Sequence, residues 1–335
     1  MTGREERKSQ IENRIENMVA DQPELLKGYI SYCFSSGQQP TTVKLYVSYV
    51  ISFMKFINNK CTAESVKKIL PLDVSNYLNA IRTKKLKDGR EVNTSTSYRA
   101  TAYSALKNFF EFLRINKVIK ENPISEMKRP KVTDDVSQEH LTIKQMRSVV
   151  KFVQHENAAT KRNSITHEDH LRSRNVAIIR MLLELGIRCS ALICIDVDNL
   201  DLKNQKIIYR DKGEKVFEKP LSRELAESLE EWLVDREKME PNTNALFVSE
   251  KKKRCCYGTI ANVVKQYTKA AIGNEMSVHK MRHSAITAMY ELNGNDIVQA
   301  SKFAGHSNVT TTQRYINTDY SKKEIELSAK LGSMI

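Results

Sequence analysis

The chain has no apolar run of the roughly 18 residues that a membrane-spanning helix requires, and its first residues lack the apolar core of a signal peptide. Cysteine is sparse and shows no C-x-x-C pair; the thiols are Cys33, Cys61, Cys189, Cys194, Cys255 and Cys256. Without the spacing of a disulfide framework or of a zinc site, reduced thiols are the favoured interpretation. These absences predict a cytoplasmic protein that has no membrane partner.

Acidic residues are also in short supply. The sequence holds 40 Asp and Glu against 54 Lys and Arg, which gives a formal net charge of +14 and an isoelectric point near 9.4. A positive excess of this size indicates a polyanionic partner such as nucleic acid. At 335 residues the chain is long enough for two domains, each with its own apolar core.

The N-terminal part of the chain has a helical pattern. Residues 1–20 are charged and show no apolar stripe, so they are predicted to form a short tail or a loose helix. In 41–57, 71–85 and 93–116, apolar residues recur at spacings of three and four, as on one face of a helix. These segments predict a small helical bundle over residues 21–128.

The pattern changes after a linker. Residues 129–139 have mixed charge and no periodicity, which predicts a connection between domains. In the second domain, 140–335, helical segments surround KIIYR and VFEKPL, which predict short strands on either side of Gly213. The predicted fold class is therefore mainly α with a small antiparallel β-sheet.

Near the C-terminus lie five polar residues with related chemistry: His279, Arg282, His283, His306 and Tyr315. A tyrosine can act as a nucleophile, arginine can hold phosphoryl oxygens, and histidine can move protons. This combination indicates attack on a phosphodiester without a metal or any other cofactor. His279 and His283 also have the spacing of a metal pair, but Lys280 between them would repel a cation, so His283 is interpreted as a packing or capping residue.

Five short segments in a fixed order carry a family resemblance. They are GIRCSAL (186–192), DKGEK (211–215), HKMRH (279–283), AGH (304–306) and TTTQRY (310–315). Together they resemble the catalytic motifs of the tyrosine recombinase or phage integrase family. The resemblance implies that 21–128 is a SAM-like core-binding domain and that 140–335 is the catalytic domain.

The resemblance also implies a complete catalytic set, namely Arg188, Lys212, His279, Arg282, His306 and Tyr315. Tyr315 would be the nucleophile, with Tyr320 as a nearby competitor. His279 would accept its proton, and Lys212 would protonate the leaving 5′-oxygen. Lys215 is the alternative to Lys212, and Lys219 is a further neighbour.

The implied activity is site-specific recombination of duplex DNA through a 3′-phosphotyrosine and a free 5′-hydroxyl, without metal or ATP. The family's pattern implies a homotetramer on two DNA sites, accessory DNA-bending proteins, a mobile-element or nucleoid setting, and an exchanged helix at about 321–331. Whether that helix docks on a neighbouring subunit or on its own domain is left open. The alternatives are a type IB topoisomerase and a non-catalytic DNA-binding regulator.

Candidate phosphate contacts outside the catalytic set are polar residues of the helical domain and of the linker region: Lys44, Thr94, Thr96, Arg99, Lys107, Lys128, Arg129 and Lys131. The sequence departs from the family at Ala191, where relatives commonly carry an acidic residue. Asp196 or Asp198 could supply the missing carboxylate.

Overall fold

The chain divides into two compact units. A computed structural model describes residues 2–86, 88–132, 139–155, 165–306 and 308–313, with the backbone alone for 165–170 and 212. One unit comprises Glu5–Val136, and the other comprises Met1–Arg4 with Ser137–Ile335. The division falls within 129–139, the predicted linker, while the assignment of the two domains to functions stays a prediction.

The elements up to residue 115 form the helical bundle and one hairpin. In chain order they are α1 (Gly3–Val19), α2 (Glu24–Ser35), α3 (Pro40–Phe56), α4 (Ala63–Val66), α5 (Pro71–Ala80), β1 (Thr83–Lys85), β2 (Glu91–Asn93) and α6 (Thr96–Ile115). Helix α3 packs against α6, and Phe53, Phe109 and Phe110 are fully buried between their elements. Pro40 and Pro71 begin their helices at the position where a missing N–H costs nothing.

Of the two alternatives for residues 1–20, the helix is present: α1 occupies Gly3–Val19, and it is packed rather than loose, because Ile15 and Val19 are buried in the core of the bundle. A second expectation for this unit is wrong in its bounds. The helix predicted over 71–85 ends at Ala80, and β1 pairs with β2 in antiparallel register around Gly89, whose φ is +83°. The Asp-Gly pair at that turn favours a hairpin, since glycine adopts positive φ without strain.

The second unit is helical around a three-stranded sheet. Its elements are α7 (Ile143–His155), α8 (Ile165–Glu184), α9 (Cys189–Ile193), β3 (Leu200–Asp201), β4 (Lys206–Arg210), β5 (Val216–Pro220), α10 (Arg223–Lys238), α11 (Tyr257–Ile272), α12 (Val278–Leu292), α13 (Ile297–Ala304) and α14 (Val309–Gln313). The strands run antiparallel in the order β3-β4-β5. The predicted fold class, mainly α with a small antiparallel sheet, is confirmed. None of the helices described here is both long and apolar enough to cross a bilayer.

Three helix ends in this unit lie around one candidate site. Helix α8 is followed by Gly186 and α13 by Gly305, with φ values of +57° and +64° that let the chain turn sharply after the last helical carbonyls. Helix α12 is capped by Ser277, whose side chain accepts a hydrogen bond of 3.2 Å from the N–H of Lys280. A Cβ atom at Gly186 would lie 2.8 Å from the ring of Phe303, so the ends of α8 and α13 are in close contact.

Candidate active site

The C-terminal ends of α8 and α13 and the first turns of α12 converge on one cationic pocket. Arg188 is the residue before α9, just beyond the end of α8. Arg282 lies in the second turn of α12 and is 4% exposed, and His306 follows the end of α13. The structure therefore brings together three residues that the sequence places up to 118 positions apart, from 188 to 306.

Arg282 joins the two helix ends. Its Nη1 donates to the carbonyl of Gly186, and its Nη2 donates to the carbonyl of Ala304 at 2.5 Å. The same Nη2 lies 3.3 Å from Nε2 of His306. A guanidinium carries five N–H donors in a rigid fork, so it can hold two carbonyls and still present donors to an anion.

His306 is fixed from both sides of its ring. Because an arginine nitrogen only donates, Nε2 accepts from Arg282, and Nδ1–H donates to Oγ1 of Thr312 at 2.8 Å. Gly305 makes this placement possible, since a Cβ atom there would overlap the ring of Phe217. Burial, followed by Arg282 and Arg188, lowers the pKa of His306 to about 4. The ring is therefore neutral at neutral pH.

This lowered pKa predicts how stability depends on pH. The unfolded chain binds a proton at His306 below about pH 6.5, while the folded chain resists protonation down to about pH 4. Stability is therefore complete above pH 6.5 and falls as pH drops through this window, by roughly 1 to 3 kcal/mol. Urea unfolding of His306→Asn should lack this part of the acid sensitivity, whereas the exposed-site control His155→Asn should retain it. Equal acid sensitivity in wild type and His306→Asn would contradict the assignment.

His279 lies in the first turn of α12, exposed to solvent. Partial desolvation of the ring, together with Arg282 and Arg188, lowers its pKa. A neutral imidazole beside two arginines can accept a proton. His283, on the same helix, is buried, with its ring centroid 5.5 Å from that of His140, as expected of a packing residue.

Arg188 pairs with a carboxylate that the sequence analysis did not single out. Its Nη1 lies 2.5 Å from Oδ2 of Asp211, which is 3% exposed at the end of β4. Ala191, where an acid was expected, is buried in the apolar core. Asp211 therefore supplies from the sheet the carboxylate that α9 lacks.

The two substitutes suggested by the sequence are wrong. Asp196 accepts from Arg254 at 2.6 Å and from the backbone N–H of Gly3 at 2.8 Å. Asp198 is exposed and accepts from the amide of Asn244 at 2.6 Å. Both carboxylates are engaged elsewhere in the unit.

If the pocket cleaves DNA, as the family resemblance implies, Asp211→Asn should slow cleavage by roughly tenfold or more while leaving DNA affinity nearly unchanged, because a charge-assisted bond that orients Arg188 becomes a neutral one. Single-turnover cleavage rates would measure the effect. Asp198→Asn is the matched control, since that exposed carboxylate accepts from the amide of Asn244, and its rate should match wild type. A wild-type rate for Asp211→Asn would refute the orienting role.

Two residues of the predicted catalytic set, Lys212 and Tyr315, are described only in part or not at all. The backbone of Lys212 lies in the tight turn 212–214 between β4 and β5, where Gly213 has a φ of +75°, but its side chain is not described. Lys215 is exposed on the same turn. Tyr315 and Tyr320, with the helix predicted at about 321–331, lie outside the described residues.

The turn that carries Lys212 is also held by a contact with Arg4, which the sequence did not predict. Arg4, which belongs to the same compact unit, donates to the carbonyl of Asp211 at 2.7 Å and pairs with Glu214 at 2.9 Å. Nothing in the sequence indicates this contact, because about 207 positions separate the partners. Thr312, by contrast, lies inside the motif TTTQRY, but its bond to His306 could not be read from spacing.

The phosphate contacts predicted in the first unit differ in their surroundings. Lys107 is exposed, and together with Arg129 it lines a surface cavity of about 570 Å³. Lys128 and Lys131 are exposed as well, while Lys44, Thr96 and Arg99 are half-buried. Thr96, Arg99 and Lys107 follow one another on one face of α6.

The phosphate contact predicted for Thr94 is corrected by the structure. Its hydroxyl donates to the carbonyl of Ile81 at 2.6 Å, and its backbone N–H donates to the carbonyl of Arg82 at 2.7 Å. A hydroxyl has a single O–H to give, and a phosphate oxygen requires a donor. Thr94 therefore closes the base of the β1–β2 hairpin, and it is removed from the candidate DNA contacts.

The site combines two arginines and two histidines at converging helix ends, in a mainly helical chain of two units. These features belong to the class of site-specific tyrosine recombinases, enzymes that break and rejoin DNA. A profile of the phage integrase family matches residues 140–322. The chain belongs to the phage integrase family.

Individual relatives agree with this membership. The chain is 30% identical over 321 residues to tyrosine recombinase XerC of Caldanaerobacter subterraneus subsp. tengcongensis, which covers 90% of this chain and 84% of the relative. It is 28% identical over 225 residues to tyrosine recombinase XerC of Escherichia coli O1:K1 / APEC, with 66% and 70% covered.

Solved structures agree with the fold. The XerH site-specific recombinase bound to palindromic difH substrate in a post-cleavage complex has a TM-score of 0.64 and 18% identity, covering 89% of this chain and 81% of that one. A lambda integrase dimer bound to a COC′ core site has a TM-score of 0.60 and 15% identity, covering 86% and 96%. The topoisomerase and regulator alternatives are not favoured.

Proposed function

We propose that Tyr315 is the nucleophile that cuts one DNA strand. Its phenolic oxygen attacks the scissile phosphorus, a P–O bond to the tyrosine forms, and the P–O5′ bond breaks. The products are a 3′-phosphotyrosine and a free 5′-hydroxyl. The 5′-hydroxyl of a partner strand then attacks the phosphotyrosine, so the bond energy is kept and neither ATP nor a metal is required.

The other site residues manage charge and protons. His279 takes the proton of Tyr315, a role supported by its lowered pKa, which keeps the imidazole neutral before the reaction. Lys212 gives a proton to the leaving 5′-oxygen. Arg188 and Arg282 stabilise the phosphoryl charge of the transition state as pre-positioned donors, and His306 assists them by holding the guanidinium of Arg282 in place through Nε2.

The contact chain from Arg282 through His306 to Thr312 carries this proposal. Its links are 3.3 Å and 2.8 Å long and end on α14. Only residues 313 and 314 separate Thr312 from Tyr315 in the sequence, and three residues of chain span at most about 11 Å. The nucleophile is thus tethered to the phosphate-binding pocket.

The substrate is duplex DNA carrying specific recombination sites, bound by the core-binding domain 21–128 and the catalytic domain 140–335 with 129–139 between them. The net charge of +14 supports a DNA partner, and the related XerH and lambda integrase structures contain DNA. Four subunits on two sites perform the exchange in the cytoplasm, with the helix at about 321–331 linking neighbours. Accessory DNA-bending proteins and a mobile-element origin fit the same scheme.

Covalent capture tests the proposal. Wild-type protein, purified under denaturing conditions from cells that hold its DNA sites, should carry a covalently joined strand whose sequencing gives the target. A duplex with that sequence, nicked beside the scissile phosphate, should then trap the adduct in the presence of a metal chelator. Failure to form an adduct, or dependence on a divalent metal, would overturn the proposed function.

The proposed phosphate contacts of Lys107 and Arg129 predict how DNA binding depends on salt concentration. If both contact phosphates, replacing them together by Gln should weaken binding to all DNA sequences and reduce the slope of log affinity against log salt by about 2. Fluorescence anisotropy across a salt series would measure this slope. Lys67→Gln with Lys68→Gln, both exposed in the same unit, is the control and should change the slope less. An unaltered slope in the first pair would place DNA elsewhere.

A further inference from the structure

Lys219 is a buried lysine that the proposed chemistry does not use. It lies on β5 opposite Ile207 of β4, and it is only 9% exposed. Lysine is rarely buried unless its ammonium has partners that replace water. Its environment therefore calls for a physical explanation.

The ammonium of Lys219 binds the same two helix ends as the guanidinium of Arg282. Its Nζ donates to the carbonyl of Leu185 at 2.6 Å and to the carbonyl of Phe303 at 2.7 Å. The Nζ atom also lies 3.9 Å from the centroid of the Phe303 ring, a cation–π distance.

The two cations, Lys219 and Arg282, bind neighbouring carbonyl groups at the same two helix ends. Leu185 and Gly186 follow α8, and Phe303 and Ala304 end α13. Lys219 takes the first carbonyl of each pair, and Arg282 takes the second. Each cation therefore spans both helix ends.

Helix ends of this kind need such partners. The last carbonyls of a helix have no N–H within the helix, and the helix dipole concentrates negative charge there. Two C-terminal ends in contact repel one another and leave buried acceptors unsatisfied. A cation between them removes both penalties, because it donates hydrogen bonds and offsets the charge.

We propose that Lys219 is a positioning residue of the active site, whose ammonium holds the ends of α8 and α13 together so that Arg188 and His306 are correctly placed at the scissile phosphate. Arg188 lies two residues beyond Gly186, and His306 lies two residues beyond Ala304. Lys219 also anchors β5, the strand that follows the turn carrying Lys212.

The charge of Lys219 responds to its surroundings. Burial and then Arg282 lower its pKa to about 7, while Asp211 opposes them. Arg188 and His306 flank the same pocket, and Glu184 at the end of α8 pairs with Arg180. A bound phosphodiester adds negative charge to this pocket and favours the ammonium form, so DNA binding near pH 8 should take up about half a proton or more per subunit.

This inference rests on the proposed role of Tyr315, and a first experiment measures single-turnover cleavage of the nicked duplex. Lys219→Met should cleave at least about tenfold more slowly with a Kd within about threefold of wild type, and Lys219→Arg, which keeps a cationic donor, should recover much of the rate. Lys206→Met on the neighbouring strand, whose ammonium pairs with Glu218 at 3.5 Å, is the matched control and should cleave normally.

The outcomes separate the two claims. No adduct from wild type would sink the proposed function, whereas adduct formation by wild type with an equal rate for Lys219→Met would sink only the role of Lys219. A loss of rate in Lys219→Met that Lys219→Arg does not recover at all would also count against it.

A second experiment needs no cleavage. Calorimetric titration of DNA into Tyr315→Phe protein near pH 8, in buffers of different ionisation enthalpy, gives the number of protons taken up. Uptake should disappear when Lys219→Arg is added, because arginine stays charged throughout, and it should persist with Lys206→Met. Equal uptake with and without Lys219→Arg would show that no ammonium forms at Lys219 when DNA binds, and would overturn its role as the cation between the two helix ends.

Discussion

Tyr315→Phe should abolish the covalent protein–DNA adduct, lowering the cleavage rate by at least about 10⁴-fold, because the substitution removes the only atom proposed to attack phosphorus. DNA affinity should stay within about twofold, since one hydroxyl contributes little beside many phosphate contacts. Denaturing gel electrophoresis of protein mixed with the nicked duplex would show the adduct as a shifted band. Anisotropy on the same samples would show that binding persists.

Tyr320→Phe is the matched control for this experiment. Tyr320 lies five positions further along the chain and carries the same hydroxyl. Its variant should form the adduct at the wild-type rate. An adduct that survives in Tyr315→Phe but disappears in Tyr320→Phe would transfer the nucleophile to the second tyrosine, and survival in both would exclude a tyrosine at either position.

The helical fold was predictable because its cores follow from local pattern. The segment 93–116 shows an apolar stripe, and α6 occupies Thr96–Ile115 with that stripe buried. The packing of helix α1 was not predicted, because most of its residues are polar and it buries few side chains, Ile15 and Val19 among them. The β1–β2 hairpin escaped because its strands have three residues each, too few for a periodic signal.

The active site was predictable only where a motif carries the residue. Arg188, Arg282 and His306 were found through such motifs, and the structure brings them to one pocket. The roles of Asp211 and Lys219 were not predicted, because these roles depend on contacts with residues 23 and 84 positions away in the sequence. Charge patterns in sequence do not distinguish a buried lysine on a strand from a solvated one beside it.

Arg282 should show the second-largest effect. Arg282→Lys keeps the charge but loses the fork that reaches Gly186, Ala304 and His306 together. We expect cleavage to slow by about 10²- to 10³-fold, because a pre-positioned donor to the phosphoryl group is lost. We also expect the free energy of unfolding to fall by about 2 kcal/mol, because buried carbonyls lose a donor. Single-turnover cleavage and urea unfolding would measure the two effects separately.

A second buried arginine, Arg174, provides a control that distinguishes an effect on catalysis from an effect on stability. Arg174 on α8 is 4% exposed, like Arg282, and donates to the carbonyl of Val248 at 2.9 Å. Arg174→Lys should therefore cost a similar amount of stability, yet it should leave cleavage within about threefold of wild type under conditions where the protein is folded. If the two lysine variants lost cleavage in equal proportion, Arg282 would act only through the fold. A selective loss in Arg282→Lys would assign the guanidinium a role in the active site beyond stability, at the place where its bonds to the two helix ends already hold it.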